Sequence, residues 1–151
     1  MSLRGSCLCG AVRYEINGDL RGVLNCHCSM CRKAHGAAFR TRAGVRFRDF
    51  QWSAGEHLLT FFESSPGNHR GFCRVCGSPM VSKFDHDPSQ LGLPLGALDD
   101  DPGVRPERHV FVSSKAPWYS ITDNLPQFAE FPTPAARGLI SMRNSLSDDR
   151  T

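Results

Sequence analysis

Long apolar runs are absent from the 151-residue chain, and none approaches the roughly 20 residues that a membrane span requires. Residues 1–5 lack the apolar stretch of a secretory signal. Charge of one sign is also scarce, because the formal net charge is only +3. We therefore expect a cytoplasmic protein with no membrane partner, and nucleic acid is disfavoured as a partner. We expect one domain over residues 5–143 and a flexible tail over 144–151.

Helical periodicity is rare along the chain, whereas short alternating segments and glycine or proline punctuation are frequent. This pattern predicts a mainly β domain. A short helix is expected over 29–35, with Ser29 as N-cap and Gly36 as its stop, and another over 134–146. Strands are predicted at 11–16, at 58–63 before a turn at 66–68, at 80–84, 91–98 and 109–113, and as a hairpin of 38–42 and 45–48 around Gly44.

Cysteine is the one residue type in clear excess, with seven in the chain. An odd number cannot close completely into intrachain disulfides, and no export signal is visible. Clustered thiols in a reducing compartment typically bind metal or do redox chemistry. The sequence therefore directs attention to three short clusters: Cys7 and Cys9; Cys26, Cys28 and Cys31; Cys73 and Cys76.

The segment Cys73-Arg74-Val75-Cys76-Gly77 has the form of a zinc knuckle. Two thiolates three positions apart converge on one ion when the backbone turns tightly, and Gly77 allows the positive φ that follows such a turn. A redox pair is the alternative, but that motif normally opens a helix after a strand, and here Pro79 follows.

The other two clusters have spacings that can also bring sulfurs together. In an extended segment, Cys7 and Cys9 point the same way and Leu8 points the opposite way. Cys26, Cys28 and Cys31 converge if an extended entry passes into a tight turn or a first helical turn.

Counting ligands divides the seven sulfurs into four and three, because structural zinc takes four protein ligands and catalytic zinc commonly takes three. The natural partition is a closed site and an open site: Cys7, Cys9, Cys73 and Cys76 with a structural zinc, and Cys26, Cys28 and Cys31 with a second zinc. Two alternatives stay open, namely a zinc ribbon of Cys28, Cys31, Cys73 and Cys76, or a histidine as fourth ligand of the second site, from His27, His35 or His69.

The sequence resembles the glutathione-dependent formaldehyde-activating enzyme family, which also includes centromere-protein-V-like proteins. The resemblance spans about residues 5–131 and is carried by four motifs: Gly5-Ser6-Cys7-Leu8-Cys9-Gly10-Ala11-Val12-Arg13-Tyr14, Cys26-His27-Cys28-Ser29-Met30-Cys31-Arg32-Lys33, Phe72-Cys73-Arg74-Val75-Cys76-Gly77 and His109-Val110-Phe111-Val112-Ser113-Ser114-Lys115-Ala116-Pro117-Trp118.

This resemblance implies a β-tent fold, in which small antiparallel sheets meet at a structural four-cysteine zinc with one or two short helices. It implies the same partition of the cysteines and two zinc ions per chain. Partial occupancy is expected of the second ion, because an exposed trio of thiolates can lose its metal or oxidise. It also implies a carbon–sulfur lyase-type enzyme that acts on a thiol/aldehyde adduct, as in the condensation of glutathione with formaldehyde to S-hydroxymethylglutathione. A small-molecule thiol such as glutathione is the implied partner.

Substrate-binding candidates follow from the carboxylates of glutathione, which suit arginine side chains. Arg32 and Lys33 directly follow Cys31, and an alternating set comes later: Arg40, Arg42, Arg46 and Arg48. His27 and His35 are candidates for acid–base roles, although catalytic residues stay unassigned. Phe61, Phe62, Trp118 and Tyr119 are expected in the core rather than in a pocket. The competing functions are a non-catalytic zinc-binding interaction module and a thiol-based redox or metal-storage protein.

Overall fold

Short strands dominate the computed structural model, which describes residues 2–132. The prediction of a mainly β fold with one or two short helices is confirmed. The described part contains one α-helix, α1 (Ser29–His35), and ten strands: β1 (Leu3–Ser6), β2 (Arg13–Ile16), β3 (Arg21–Cys26), β4 (Arg40–Arg46), β5 (Phe50–Ala54), β6 (Leu59–Ser65), β7 (Asn68–Cys73), β8 (Pro79–Phe84), β9 (Gln90–Pro94) and β10 (His109–Val110).

The strands form two sheets. The smaller sheet has the order β1-β2-β5, and the larger has the order β10-β3-β4-β9-β8-β7-β6. Every pairing is antiparallel except that of β10 with β3, which is parallel and places Val110 beside Cys26. The end of the larger sheet that carries Cys26 is therefore held by a segment from late in the chain.

Alternation along β4 separates a core face from a second face. Ala43 and Val45 are fully buried and pair with Leu93 and Leu91 of β9, within the main apolar cluster. Since successive side chains of a strand point to opposite faces, the even-numbered residues of β4 face away from this cluster. Arg40 and Arg42 belong to that second face.

The predicted hairpin around Gly44 is wrong, because β4 runs without interruption from residue 40 to residue 46. Gly44 pairs with Arg21 on one side and with Gly92 on the other. A Cβ atom at this position would lie 3.3 Å from the carbonyl oxygen of Arg21. Glycine therefore permits close approach of a neighbouring strand here, rather than a turn.

Helix α1 has the predicted extent, but its N-cap is Cys28 instead of Ser29. The Sγ atom of Cys28 accepts a hydrogen bond from the backbone N–H of Cys31 at 3.3 Å. Gly36 ends the helix in the left-handed conformation, with φ of 56°, as predicted. A thiolate can take the place of the usual hydroxyl cap because it also offers an acceptor to the free N–H groups of the first turn.

Other boundaries shift by a few residues. The turn at Pro66-Gly67 and the strand before it are confirmed, as is β8. The strands expected at 91–98 and 109–113 are shorter than predicted, because single-turn 3₁₀ helices follow at Leu95–Ala97 and Val112–Ser114. The helix predicted at 134–146, the domain end at 143 and the tail lie outside the described residues.

None of the helices among residues 2–132 has the length and apolar character needed to cross a membrane.

Candidate metal centres and the adjoining cavity

Cys7 and Cys9 come together through a turn that directly follows β1. The N–H of Gly10 donates to the carbonyl oxygen of Cys7 at 2.9 Å, and Gly10 has φ of 79°. The expected extended conformation is therefore wrong for this pair, although the two sulfurs do converge, 3.5 Å apart. Leu8, at the tip of the turn, is 87% exposed.

Cys73 and Cys76 form the predicted knuckle at the end of β7. The N–H of Gly77 donates to the carbonyl oxygen of Cys73 at 2.7 Å. The N–H of Cys73 donates to the carbonyl oxygen of Ser78 at 3.0 Å. Gly77 has φ of 78°, which is the positive value expected after such a turn. The hydroxyl of Ser78 lies 3.2 Å from the Sγ of Cys76, and this hydrogen bond lowers the pKa of that thiol.

The two pairs together make a four-sulfur cluster whose size suits zinc. All four Sγ atoms lie within 4.8 Å of one another, and those of Cys9 and Cys73 are 3.9 Å apart. Sulfurs around a tetrahedral zinc, each about 2.3 Å from the ion, stand about 3.8 Å apart. The N–H of Val12 also donates to the Sγ of Cys7 at 3.3 Å. The cluster thus has the donor number, spacing and supporting hydrogen bonds of a closed structural site.

The second cluster is formed where β3 passes into α1. Cys26 is the last residue of β3, Cys28 caps the helix, and Cys31 lies in its first turn. Their three Sγ atoms lie within 4.8 Å of one another. Hydrogen bonds from Cys26 and Cys28, and then from the Arg70 guanidinium 3.5 Å away, lower the pKa of Cys31. A strand end followed by a helical turn is one of the two routes that the sequence predicted.

The cysteines are therefore grouped as the ligand count predicted. All seven are free thiols, and the two groups that can hold a metal ion are Cys7, Cys9, Cys73 and Cys76, and Cys26, Cys28 and Cys31. Cys28 and Cys31 lie in a different cluster from Cys73 and Cys76, which excludes the ribbon arrangement. No histidine or carboxylate within residues 2–132 joins the three-sulfur group.

The histidines proposed as a fourth ligand make other contacts. His27 is fully buried, and its Nε2 lies 2.8 Å from Nδ1 of His109. Nε2 of His109 lies 3.0 Å from a carboxylate oxygen of Asp123. Burial and the charge of His109 lower the pKa of His27 to about 4. His69 lies 3.0 Å from the carboxylate of Asp85, and His35 lines a separate cavity.

A cavity of about 670 Å³ opens beside the three-sulfur cluster. All three cysteines of the cluster line it, together with five arginines: Arg21, Arg40, Arg42, Arg70 and Arg108. Arg70 is held by a hydrogen bond from its Nε to the hydroxyl of Ser64 at 2.8 Å. Burial lowers the pKa of Arg40 to about 10 and also lowers that of Arg42. The cavity is a cationic space next to a group of thiols, and it can bind an anion.

Residues 2–114 match the model of the family described as glutathione-dependent formaldehyde-activating enzyme. The chain belongs to this family. A curated protein of Halomonas elongata, provisionally named as a glutathione-dependent formaldehyde-activating enzyme, is 33% identical over 130 residues, covering 80% of this chain and 82% of that protein. A crystal structure of a Rhodobacter sphaeroides protein is 30% identical, covers 68% of this chain and 91% of that one, and has a TM-score of 0.49.

In this family member, the substrate-binding candidates divide by position. Arg40 and Arg42 line the cavity, whereas Arg46 and Arg48 do not. Arg32 and Lys33, on the last turns of α1, are also absent from the lining, and their role in substrate binding stays a prediction. Three further arginines of the cavity could not be predicted from the sequence, because Arg21, Arg70 and Arg108 lie outside the cysteine motifs and carry no local pattern.

The aromatic candidates differ from expectation. Phe62 and Trp118 are 64% and 72% exposed, so their placement in the core is wrong. Phe61 is also exposed and carries Lys83 over its ring, 4.8 Å from the centroid. Adjacent aromatic residues on a strand point to opposite faces, and β6 is the edge strand of the larger sheet. Of Phe61 and Phe62, one therefore lies on a face of the sheet that no other part of the described structure covers.

The family-like segment at 115–119 packs behind the loop that carries Cys26 and Cys28. The Lys115 ammonium donates to the carbonyl oxygens of Ala116 and Tyr119, which closes a tight turn. This turn brings the Tyr119 ring 6.3 Å from that of His27 and 5.4 Å from that of Phe39. The segment thus supports the face of the loop opposite to its sulfurs.

Proposed function

We propose that the chain is a zinc-dependent carbon–sulfur lyase-type enzyme that interconverts glutathione plus formaldehyde and S-hydroxymethylglutathione. The observation that carries the proposal is the three-sulfur cluster of Cys26, Cys28 and Cys31, which has no further histidine, cysteine or carboxylate ligand within residues 2–132 and opens into a cavity. Membership of the formaldehyde-activating family supports the substrate pair.

The donor set of both clusters fits zinc, since zinc favours thiolate ligands and the sulfur spacing of the closed cluster matches tetrahedral coordination. A zinc ion in the three-sulfur cluster would offer a fourth position to a substrate thiol and would lower the pKa of that thiol. We assign one ion to each cluster. The four-sulfur ion is structural, and the three-sulfur ion belongs to the reaction.

The reaction itself is an addition that balances without an oxidant. The sulfur of glutathione attacks the carbonyl carbon of formaldehyde, a C–S bond forms, and the carbonyl π electrons pass to oxygen, which takes up the proton lost by the thiol. The cavity holds the two reactants together. Arg70, which donates to Cys31, and Arg40, which lies opposite Cys26, offset the negative charge that accumulates on the sulfurs.

Neither histidine suggested for acid–base work lines this cavity. His27 is turned towards His109, and His35 faces the other cavity. The open cavity supports proton exchange with solvent, and a protein acid or base stays unassigned.

The main competing function is a non-catalytic zinc module that binds a protein or nucleic acid. An exposed face of arginines over residues 40–48 would support it, but Arg40 is only 5% exposed and lines the cavity together with Arg42. Arg40 and Arg42 therefore do not belong to an exposed surface that could bind a protein or nucleic acid. Seven free thiols also agree with a reducing compartment, and we propose a cytoplasmic location.

The test is the exchange rate between formaldehyde and S-hydroxymethylglutathione, measured by NMR with ¹³C-formaldehyde, with and without zinc-loaded protein. We expect the protein to accelerate exchange above the spontaneous rate, and Cys28→Ser to lose about one zinc and the acceleration while staying folded. Exchange at the buffer rate with fully loaded protein would end the proposal. If Cys28→Ser still accelerates exchange, the three-sulfur cluster is not the site of the reaction.

A further inference from the structure

The cavity beside the three-sulfur cluster carries far more positive than negative side chains. Five arginines line it, and Asp87 is the one carboxylate side chain in the lining. The ion pairs found within residues 2–132 use other arginines, namely Arg4, Arg48 and Arg105. The cationic charge of the cavity is therefore not matched by carboxylates of the described chain.

Several guanidinium nitrogens in this cavity are buried and have no hydrogen-bond partner among residues 2–132. They are Nε of Arg40, Arg42 and Arg108 and Nη1 of Arg70. Arg40 is 5% exposed, so water replaces the missing acceptors poorly at that residue. Buried donors without acceptors lower stability, and a buried charge without a partner costs more. An anion in the cavity would supply the missing acceptors.

The arginines fall into two groups by their contacts and by their position along the paired strands. Arg40 lies directly opposite Cys26 in the pairing of β3 with β4, and Arg70 donates to Cys31. The sulfurs themselves offset the charge of these two.

Arg42 comes two residues after Arg40 on the same face, about 7 Å further along the strand. The ring of Phe84 lies 5.7 Å from its guanidinium carbon.

The guanidinium of Arg108 lies close to the start of β3. A Cβ atom placed on Gly22 would be 3.6 Å from Nη2 of Arg108, and Gly22 is the neighbour of Arg21. The backbone N–H of Asn25 donates to the carbonyl oxygen of Arg108 at 3.0 Å, which holds residue 108 against β3. Arg21, Arg42 and Arg108 thus form a second group, the distal arginines, whose placements lie further from Cys26 along β3 and β4 than that of Arg40.

We propose that the distal arginines, Arg21, Arg42 and Arg108, select a thiol that carries two carboxylates, and bind those carboxylates while the thiol sulfur faces Cys26, Cys28 and Cys31. Arginine suits this task because its planar guanidinium donates two parallel hydrogen bonds to a carboxylate. The assignment of the ligand as a thiol rests on the proposed function, whereas the anion site rests on the arginines alone. Thiols with one carboxylate or none leave distal donors unpaired and bind more weakly.

The test uses S-methylglutathione, which keeps both carboxylates but has no free thiol, and its diethyl ester, which has neither carboxylate. Binding of each to the zinc-loaded full chain is measured by titration calorimetry at low and at high salt. The variants are Arg42→Gln and Arg108→Gln. Arg48→Gln is the matched control, because it removes the same charge from a side chain that is 73% exposed and outside the cavity.

We expect the diacid to bind and the diester to bind at least tenfold more weakly. Arg42→Gln and Arg108→Gln should each weaken diacid binding by about tenfold to a hundredfold, the loss of one charge-assisted contact, and Arg48→Gln should leave it unchanged. Equal binding of diacid and diester to the unmodified protein would overturn the proposal, as would equal losses in Arg42→Gln and Arg48→Gln. The ester comparison needs no variant, so a variant that fails to fold does not decide the outcome.

The two proposals fail separately. Selective binding of S-methylglutathione without any acceleration of formaldehyde exchange would support the dicarboxylate site and end the proposed reaction. If the protein accelerates exchange but binds the diacid and the diester equally, the proposed reaction is supported and the dicarboxylate site is ruled out.

Discussion

Cys28 has two structural tasks at the level of a single residue. Its Sγ belongs to the three-sulfur cluster, and the same atom accepts the N–H of Cys31 as the cap of α1. Because serine is among the best N-cap residues and alanine among the poorest, substitutions at this position can separate the two tasks.

Cys28→Ser and Cys28→Ala should both remove the third sulfur, but they should differ in stability. We expect Cys28→Ala to be less stable than Cys28→Ser by about 1 kcal/mol, since only serine keeps an acceptor for the first turn of α1. Urea unfolding of the two variants at equal zinc content measures the difference. Equal midpoints would mean that the observed cap adds nothing to stability.

His35 is a second residue whose environment has a measurable effect. It lines a cavity that also includes Arg40, and burial together with the charge of Arg40 lowers the pKa of His35 to about 4. In the unfolded chain a histidine titrates near pH 6.5. Between these two values the unfolded state binds more protons than the folded state, so the free energy of unfolding falls as the pH drops.

His35→Gln should therefore reduce the loss of stability between pH 7 and pH 5. The measurement is the urea midpoint at both pH values with zinc in excess, and the control is His57→Gln, because the His57 side chain is exposed. Between pH 7 and pH 5, we expect the midpoint of His35→Gln to fall less than that of the parent. The midpoint of His57→Gln should fall as much as that of the parent. An identical fall in all three proteins would show that His35 protonation does not affect folding.

At the level of elements, the knuckle after β7 depends on one backbone conformation. Gly77 has φ of 78°, and a Cβ atom there would meet no heavy atom within 4 Å. Any cost of a side chain at this position therefore comes from the backbone and not from a clash. Gly96, in the 3₁₀ helix Leu95–Ala97, offers the same open space without a positive φ.

Gly77→Ala should lower the free energy of unfolding by about 1–2 kcal/mol, the cost of the left-handed conformation for an L-residue. Gly96→Ala, the matched control, should change it by less than about 0.5 kcal/mol. Thermal or urea unfolding of both variants with zinc in excess tests this. If the two substitutions have the same effect, the positive φ is not what the knuckle requires.

At the level of the whole molecule, the four-sulfur cluster connects the two sheets. Cys7 and Cys9 follow β1 of the smaller sheet, and Cys73 ends β7 of the larger. The bridge of Gly5 to Leu98 and the hydrogen bonds of Arg4 with Asp100 join β1 to the segment between β9 and β10. A metal that binds only the assembled cluster contributes its binding free energy to folding.

Cys76→Ser should therefore unfold the domain, whereas Cys28→Ser should leave it folded. Circular dichroism, thermal unfolding and zinc content of the two variants compare the clusters directly, since each variant changes one sulfur to oxygen. A Cys76→Ser protein with the thermal stability of the parent would contradict the structural role of the four-sulfur site.

Local spacing accounts for what could be predicted from the sequence. Cys73, Cys76 and Gly77 form a turn from their own spacing, and Cys26, Cys28 and Cys31 converge within a single strand-to-helix transition. The hairpin predicted around Gly44 is wrong because the sequence does not distinguish a glycine within a strand from a glycine in a turn. The pairing of Gly44 with Arg21 and Gly92 shows that it lies within a strand.

The sequence by itself determined the three local cysteine clusters and the mainly β character, because both depend on residues a few positions apart. Ligand counting favoured a division into four and three sulfurs, and the fold brings Cys7 and Cys9 to Cys73 and Cys76. Only the tertiary structure decided what surrounds the open cluster. Arg42, Arg70 and Arg108 come from β4, from β7 and from the segment before β10, and they meet because strand order and register bring those segments to one cavity. Pairings between distant segments leave no periodic signal in the chain, so this cationic cavity became visible only in the fold.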